Sequence, residues 1–325
     1  MSAYAPSGSF VLAAGVALLA ATLVLGLGVT RIRRPVPARL AAWLLVAAAF
    51  TAAERLTSGE AAGLRMLGLL GALLYAMKAV VGVEERASGA PGLSAGRWLA
   101  FAALWPGMRP SLFARLGGRP LPGAGRLLAR GLVALVLGAA LFVLARRAWA
   151  AGSNLGATLL ALPALSLLLH FGLFNLLAGT WRLAGARTDA LFRAPLRSSS
   201  LREFWGRRWN LAFSEMTALG LYRPVAPRVG RKGAIVAAFL GSGLLHEIAI
   251  SLPVMAGFGL PMSYFALHGA LMLAERGLER SGRRLDRRAW LGRIWTLFWL
   301  AAPLPLLFHH PFLAGVVWPL LGEPR

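Results

Sequence analysis

The sequence predicts an all-α, polytopic membrane protein with about eight transmembrane helices and additional interfacial helices around a central cavity. Its 325 residues are 58% hydrophobic and 14% charged, which is too little polar surface to coat a soluble globule of that size. The apolar runs are longer than the helices of soluble domains and follow one another across short polar gaps. Since no internal repeat or linker interrupts this pattern, residues 1–325 are expected to form a single membrane domain.

Eight apolar runs are long enough to cross a membrane, because a helix needs about 20 residues to span the hydrocarbon layer. They cover about 9–30, 39–56, 62–83, 130–150, 155–180, 232–256, 258–275 and 289–308. A ninth run, about 311–321, is too short to cross. The first run lacks a basic leader and is followed by Arg31, Arg33 and Arg34, so we expect an uncleaved anchor rather than a signal peptide.

The distribution of charge predicts the topology. Alternate gaps hold 29 of the 35 basic residues, and basic loops remain on the cytoplasmic side of a membrane. Both termini are therefore expected outside, with the long basic loops cytoplasmic; these inner segments are 31–39, 84–130, 182–232 and 275–293. Only two of the 35 basic residues are lysines, a usage typical of GC-rich bacterial genomes, so the expected location is a bacterial inner membrane.

Several functional classes are excluded by composition and motifs. The net charge of +23 does not indicate a nucleic-acid partner, since no RNA-binding or zinc-finger pattern is present. The absence of cysteine excludes disulfides, thiolate metal sites and a cysteine nucleophile. No metalloprotease, nucleophile-elbow or phosphate-loop motif occurs. Neither a metal nor a bound cofactor is expected.

Two inner segments contain stretches in which tryptophan and phenylalanine alternate with arginine, as in helices that lie in the headgroup layer. They are RWLAFAALWPGMRP (97–110) and LREFWGRRWNLAF (201–213). In the second, Trp205 and Trp209 are expected on one helical face, and the i, i+4 spacing of Glu203 and Arg207 favours an ion pair.

Strongly polar residues are costly inside a membrane span and therefore indicate a partner or a function. Those in the predicted spans are Lys78, His170, Asn175, His246, Glu247 and His268. Lys78 lies near the inner end of its span and is expected to extend to the interface. His170 and His268 are single histidines, for which a hydrogen bond between helices is the expected role.

His246 and Glu247 form the most informative polar pair, because both lie well inside one span. His246 is about 20 Å along the helix from Lys232. Adjacent residues diverge by about 100° around a helix, so the two side chains are expected to have separate roles. A buried imidazole stays neutral and accepts a proton, which makes His246 a candidate general base. The structural alternative is a polar helix contact beside Gly241, Ser242 and Gly243.

Two segments together resemble the wax-synthase-like branch of the membrane-bound O-acyltransferases. They are SLREFWGRRWNLAFSEMTALGLYRPV (200–225) and AAFLGSGLLHEIAISLPV (237–254), and the earlier WPGMRP (105–110) is a further mark of that branch. The resemblance is strongest over about 97–254. It implies that His246 is the catalytic histidine and Asn210 the second polar residue of the site.

The same resemblance implies an acyl-CoA donor and a hydroxyl acceptor, joined into a wax or related lipid ester. Asn210 is then expected to hold a carbonyl or to stabilise an oxyanion, and its structural alternative is a helix cap. Arg207 and Arg208 are candidate contacts for the CoA phosphates, and Trp205, Trp209 and Glu247 complete the predicted substrate-binding set. Asn210 is expected at the inner interface and His246 deep in the span.

Two other functions remain open from the sequence. One is O-acetyl transfer to a hydroxylated secondary metabolite or a glycan. The other is proton-coupled transport, in which His246 and Glu247 relay protons. Inverted repeats would favour transport, and the sequence shows none.

Overall fold

The computed structural model describes residues 3–281 and 289–322, and within those ranges the chain is helical without a strand. The helices follow the predicted apolar runs, which confirms the all-α fold. They are α1 (Ser9–Thr30), α2 (Pro35–Thr57), α3 (Ala62–Ala87), α4 (Ala95–Leu104), α5 (Ala124–Ala150), α6 (Asn154–Leu183), α7 (201–208), α8 (211–229), α9 (231–254), α10 (Leu260–Arg280), α11 (Ala289–Leu307) and α12 (His310–Leu321).

In the part of the chain that the structure describes, seven helical segments are long and apolar enough to cross a membrane, against eight predicted. The difference falls on the predicted span 258–275, since the matching helix α10 carries a charged second half and is not among the seven. Large apolar side chains of α1, α2 and α5 are exposed on the protein surface, as lipid-facing residues are. The protein is an integral membrane protein.

The chain forms two compact units, Met1–Ala190 with Leu313–Arg325, and Leu191–Phe312. In the first unit α3 packs against α1 and α2. The indole of Trp98 on α4 packs closely against Gly26 and Gly82, where an added Cβ would lie 3.2 Å from it, and donates to the Leu23 carbonyl at 3.1 Å. Whether these units act as one domain, as predicted, stays a prediction.

Lys78 does not extend to the interface as the sequence predicted, but is fully buried in the first unit. Its Nζ donates to the carbonyls of Trp105 and Gly107, both at 2.6 Å, and to that of Phe101 at 3.3 Å. The same atom lies 4.1 Å from the centre of the Phe101 ring. The ammonium group therefore holds the WPGMRP segment in place.

The second unit is built on a helical hairpin that the sequence analysis missed. Residues 211–232 were predicted to belong to an inner loop, but α8 runs to Gly230, whose φ of 70° breaks the helix, and α9 returns beside it. Phe213 contacts His246, and a side chain at Gly241 would collide with Leu221, so the two arms are antiparallel. The hairpin tip carries four exposed basic residues: Arg223, Arg228, Arg231 and Lys232.

Helix α10 runs antiparallel to α9 and organises the rest of this unit. A side chain at Gly243 would meet Met262, and one at Gly269 would meet Phe239, which fixes the relative register of the two helices. On its other side α10 contacts α11, where Tyr264 Oη donates to the Leu300 carbonyl at 3.4 Å.

We expect Lys78→Met to lower the thermal unfolding midpoint of the detergent-solubilised protein by about 5 °C or more, because two buried carbonyls lose their short hydrogen bonds at about 1–3 kcal/mol each. Differential scanning fluorimetry measures this. Lys232→Met, at the exposed hairpin tip, is the matched control and is expected to be neutral. Equal midpoints for the two variants would contradict the structural role of Lys78.

Candidate functional site

The candidate site lies in the second unit around His246, on the last turn of the regular part of α9. His246 Nδ1 lies 2.7 Å from the carbonyl oxygen of Ser242, one turn earlier. A carbonyl oxygen only accepts, so Nδ1 carries the proton and the neutral ring keeps its lone pair on Nε2. Among the described residues nothing hydrogen-bonds to Nε2, and the side chain is partly exposed. This is the protonation pattern that a general base requires.

Two aromatic rings flank the imidazole. The Phe265 ring centre lies 4.1 Å from that of His246, with an interplanar angle of 38°, and the Phe213 ring centre lies 5.7 Å away. Phe265 is buried and comes from α10, whereas Phe213 comes from α8. Three helices therefore meet at His246, and the apolar rings restrict its rotation.

Asn210 precedes α8 and adopts a left-handed conformation, with φ 42° and ψ 64°. Asparagine tolerates this region better than most residues. Its Oδ1 accepts from the backbone N–H of Phe213 at 3.2 Å, so the amide caps α8, which was the structural alternative for this residue. Its Nδ2 donors have no partner among the described residues.

The position of Asn210 corrects one prediction. It was expected at the inner interface with His246 deep in the span, but it lies one helical turn from Phe213, whose ring touches His246. The reason is the hairpin: α8 begins at the level of His246 along α9. The structure thus links the two residues that the family resemblance singled out through Phe213, whose backbone bonds to Asn210 and whose ring touches His246.

Helix α7, which carries the FWGRR residues, is held by α10. Glu275 is buried, and its carboxylate accepts from the backbone N–H groups of Leu201 at 2.9 Å and Arg202 at 3.3 Å, and from Trp295 Nε1 at 3.0 Å. A carboxylate at a helix N-terminus satisfies N–H groups that have no partner within the helix. Sequence analysis missed Glu275, since the helix that it caps begins about 74 residues away in the chain.

The expected pairing of Glu203 with Arg207 is wrong. The turn Phe204–Arg208 is π-helical, so the partner of Glu203 is five residues on, and Arg208 Nη2 lies 2.6 Å from its carboxylate. Burial raises the pKa of Glu203, but hydrogen bonds from Ser199 and Arg208 outweigh it and leave the pKa below its ordinary value. Arg207 is exposed and has no ion pair in the described ranges.

Trp205 and Trp209 do not share a helical face, because the chain leaves the helix at Trp209. Trp209 packs on Phe204 and Phe192, at 5.5 and 4.8 Å between ring centres. Trp205 Nε1 donates to His268 Nδ1 at 2.9 Å.

His268 is fully buried and has both ring nitrogens occupied, since its Nε2 donates to the Trp299 carbonyl at 3.1 Å. This confirms the hydrogen bond between helices predicted for His268. His170, by contrast, lies 3.2 Å from Ser166 Oγ in its own helix.

Glu247 turns away from His246, as the angle between adjacent helical residues predicted. Its Oε1 accepts from the backbone N–H groups of Gly259 at 3.0 Å and Met262 at 2.9 Å, and so caps the N-terminus of α10. Glu247 also lines an apolar groove of about 420 Å³, together with Leu244, Ile248, Leu252, Phe258, Gly259 and Met262. His246 is not among the residues that line this groove.

A buried histidine also lies beside a hydroxyl elsewhere in the chain: Ser251 Oγ and His309 Nε2 are 3.4 Å apart. The Phe312 backbone N–H donates to His309 Nδ1 at 3.3 Å, so the ring proton lies on Nε2 and points at the serine. This histidine therefore does not act as a base toward Ser251. Within residues 3–281 and 289–322, no three acidic or histidine side chains form a group that could hold a metal.

Comparison with known proteins supports the same region. Residues 188–266 match the model of the membrane bound O-acyl transferase family. A long-chain-alcohol O-fatty-acyltransferase of Simmondsia chinensis is 33% identical over 136 residues, which are 37% of this chain and 38% of that protein.

Two Arabidopsis thaliana proteins show the range of these relatives. A probable long-chain-alcohol O-fatty-acyltransferase 6 is 31% identical over 141 residues, 38% of this chain and 40% of its own length. An acyl-CoA–sterol O-acyltransferase 1 is 31% identical over 91 residues, 25% of this chain and 26% of its own length. The chain matches less than half the length of these relatives. Over that part, the resemblance to the wax-synthase-like branch is confirmed.

Glu247 is expected to act through its hydrogen bonds to α10 rather than through its charge. Glu247→Gln keeps an acceptor oxygen and should retain the unfolding midpoint of the wild type, whereas Glu247→Ala should cost about 0.5–2 kcal/mol. The control is Glu279→Ala, which removes a partly exposed ion pair with Arg202 and should change little. Equal losses in the Gln and Ala variants would show that the charge, not the cap, matters.

Proposed function

We propose that the protein is an acyl-CoA:alcohol O-acyltransferase that forms a wax or related lipid ester. The observation that carries the proposal is the orientation of His246, whose proton is fixed on Nδ1 and whose Nε2 is free to accept another. The match of residues 188–266 to the acyltransferase family supports the reaction class. The names of the relatives support a long-chain alcohol as acceptor.

In the proposed reaction the acceptor hydroxyl gives its proton to His246 Nε2 as its oxygen attacks the thioester carbonyl carbon. The carbonyl oxygen becomes an oxyanion, to which Asn210 Nδ2 donates. The carbon–sulfur bond then breaks, the ester is released, and the sulfur takes the proton from His246 to leave as the CoA thiol. A thioester is already activated, so no covalent enzyme intermediate and no further cofactor is proposed.

Arg207 is the proposed contact for the CoA phosphates in the FWGRR segment, because it is exposed and its charge is not used by a carboxylate of the described chain. Arg208 and Trp205 are engaged by Glu203 and His268, so we assign them to positioning of the segment. We propose, by the positive-inside rule, that the long basic loops lie on the cytoplasmic side of a bacterial inner membrane.

His246→Ala is expected to lower ester formation by about 10²–10⁴-fold, because the variant loses its general base. The measurement is ester formation from radiolabelled acyl-CoA by the purified, folded protein. His310→Ala, an exposed histidine, is the control and should retain activity. Undiminished turnover in a folded His246→Ala protein would overturn the proposal.

The donor and acceptor classes are separated in the same assay. Long-chain and acetyl donors are tested against fatty alcohols, sterols and glycans, and the proposal expects the long-chain donor with the fatty alcohol to be preferred. Preference for acetyl-CoA and a glycan would favour the O-acetyltransferase, and proton-coupled transport without any ester would favour a transporter.

Asn210→Asp separates the two roles of this residue, because aspartate keeps the capping oxygen and removes the Nδ2 donors. We expect the unfolding midpoint to be retained and kcat to fall by about 100-fold or more. Circular dichroism and steady-state kinetics at pH 7.5 measure the two effects. If kcat is unchanged in Asn210→Asp, Asn210 is only a helix cap.

A further inference from the structure

Thr217, on α8, is the one buried hydroxyl of the described chain that has no hydrogen-bond partner. Its side chain is 8% exposed, and its Oγ1 is buried without a donor or acceptor in reach. The other buried serine and threonine hydroxyls all donate to a backbone carbonyl: Thr22, Thr57, Thr188, Ser198, Ser242, Ser251 and Thr296. Since a buried polar group without a hydrogen bond destabilises the folded state, the unpaired hydroxyl of Thr217 indicates a missing partner.

The register of the hairpin places Thr217 close to His246. Phe213, Thr217 and Leu221 follow one another along α8, and the four-residue step from Phe213 to Thr217 in regular helix keeps those two on one face. The first of them touches His246 and the last touches Gly241, both on α9. Thr217 therefore faces α9 about one helical turn, or about 5.4 Å, from the level of the imidazole. The π-helical turn Ala218–Tyr222 begins directly after it, and such turns are frequent at functional sites.

We propose that the Thr217 hydroxyl binds an amide of the pantetheine chain of the acyl-CoA donor. This inference rests on the proposed function. The alkyl chains of the donor and of a fatty alcohol offer no hydrogen-bonding group. The first polar group of CoA beyond the thioester is an amide, two carbons from the sulfur. Its distance from the thioester is similar to the one helical turn that separates Thr217 from the level of His246. An amide taken out of water needs a partner, and a hydroxyl both donates and accepts.

The roles around the donor are then divided by position. His246 deprotonates the acceptor, Asn210 donates to the oxyanion, and Thr217 holds the arm that carries the thioester. Thr217 thus contributes to the choice of CoA thioesters over other activated acyl groups, because a site with an unpaired hydroxyl binds an analogue without the amide less well.

The test is Thr217→Val, which keeps the shape of the side chain and removes the hydroxyl. The Michaelis constant for a long-chain acyl-CoA is expected to rise by about 3- to 10-fold, while the Michaelis constant for the alcohol stays unchanged. The unfolding midpoint should stay at or above that of the wild type, because the variant buries no unpaired hydroxyl. Thr217→Ser should restore the wild-type constant. Thr296→Val is the matched control, since it removes a buried hydroxyl that bonds to the Gly292 carbonyl on α11.

A donor in which the whole amide nearest the sulfur, both N–H and carbonyl, is replaced by methylene groups locates the contact. Wild type and Thr217→Val are expected to use this donor equally well. If the variant still loses affinity for it, the hydroxyl does not bind that amide, and the amide assignment is overturned. An unchanged Michaelis constant for acyl-CoA in Thr217→Val overturns the inference altogether. The proposed function fails separately, if the wild-type protein forms no ester from any donor.

Discussion

The hydrogen bond from His246 Nδ1 to the Ser242 carbonyl is the contact on which the proposed chemistry depends. It joins a side chain to the backbone of its own helix, so it forms wherever that helix forms. It settles which nitrogen carries the proton, and it leaves the other one as an acceptor between two phenylalanine rings. A neutral imidazole with a fixed tautomer needs no carboxylate to orient it, and Glu247 is accordingly used elsewhere.

Helix α10 is the scaffold of the site, although it contributes no proposed reacting group. Along one helix, Phe265 covers the imidazole, His268 receives the Trp205 indole, and Glu275 caps the segment that ends at Asn210. Each of these polar contacts satisfies a donor that would otherwise be buried without a partner, at a cost of about 1–3 kcal/mol. Buried polar groups are paired in the first unit as well, where the ammonium group of Lys78 donates to three backbone carbonyls.

Local departures from regular helix decide which residues meet. In the π-helical turn of α7 a partner lies five residues away, so Arg208 rather than Arg207 neutralises Glu203 and Arg207 is left exposed. The left-handed conformation of Asn210 starts α8 at the level of His246. A prediction based on regular α-helical spacing gives neither the Glu203–Arg208 pair nor the start of α8 at Asn210, because it assumes one helical geometry throughout.

The sequence by itself determined that the chain is helical and membrane-embedded, since hydrophobicity over some 20 residues is a local property. It also identified His246 and Asn210, through short motifs that resemble a family. Only the tertiary structure decided that Asn210 caps the helix whose Phe213 touches His246, that Lys78 is buried, that Phe265 packs on the imidazole, and that Glu275 caps α7. Those facts depend on the turn at Gly230 and on contacts between residues up to about 74 positions apart, which no local pattern records.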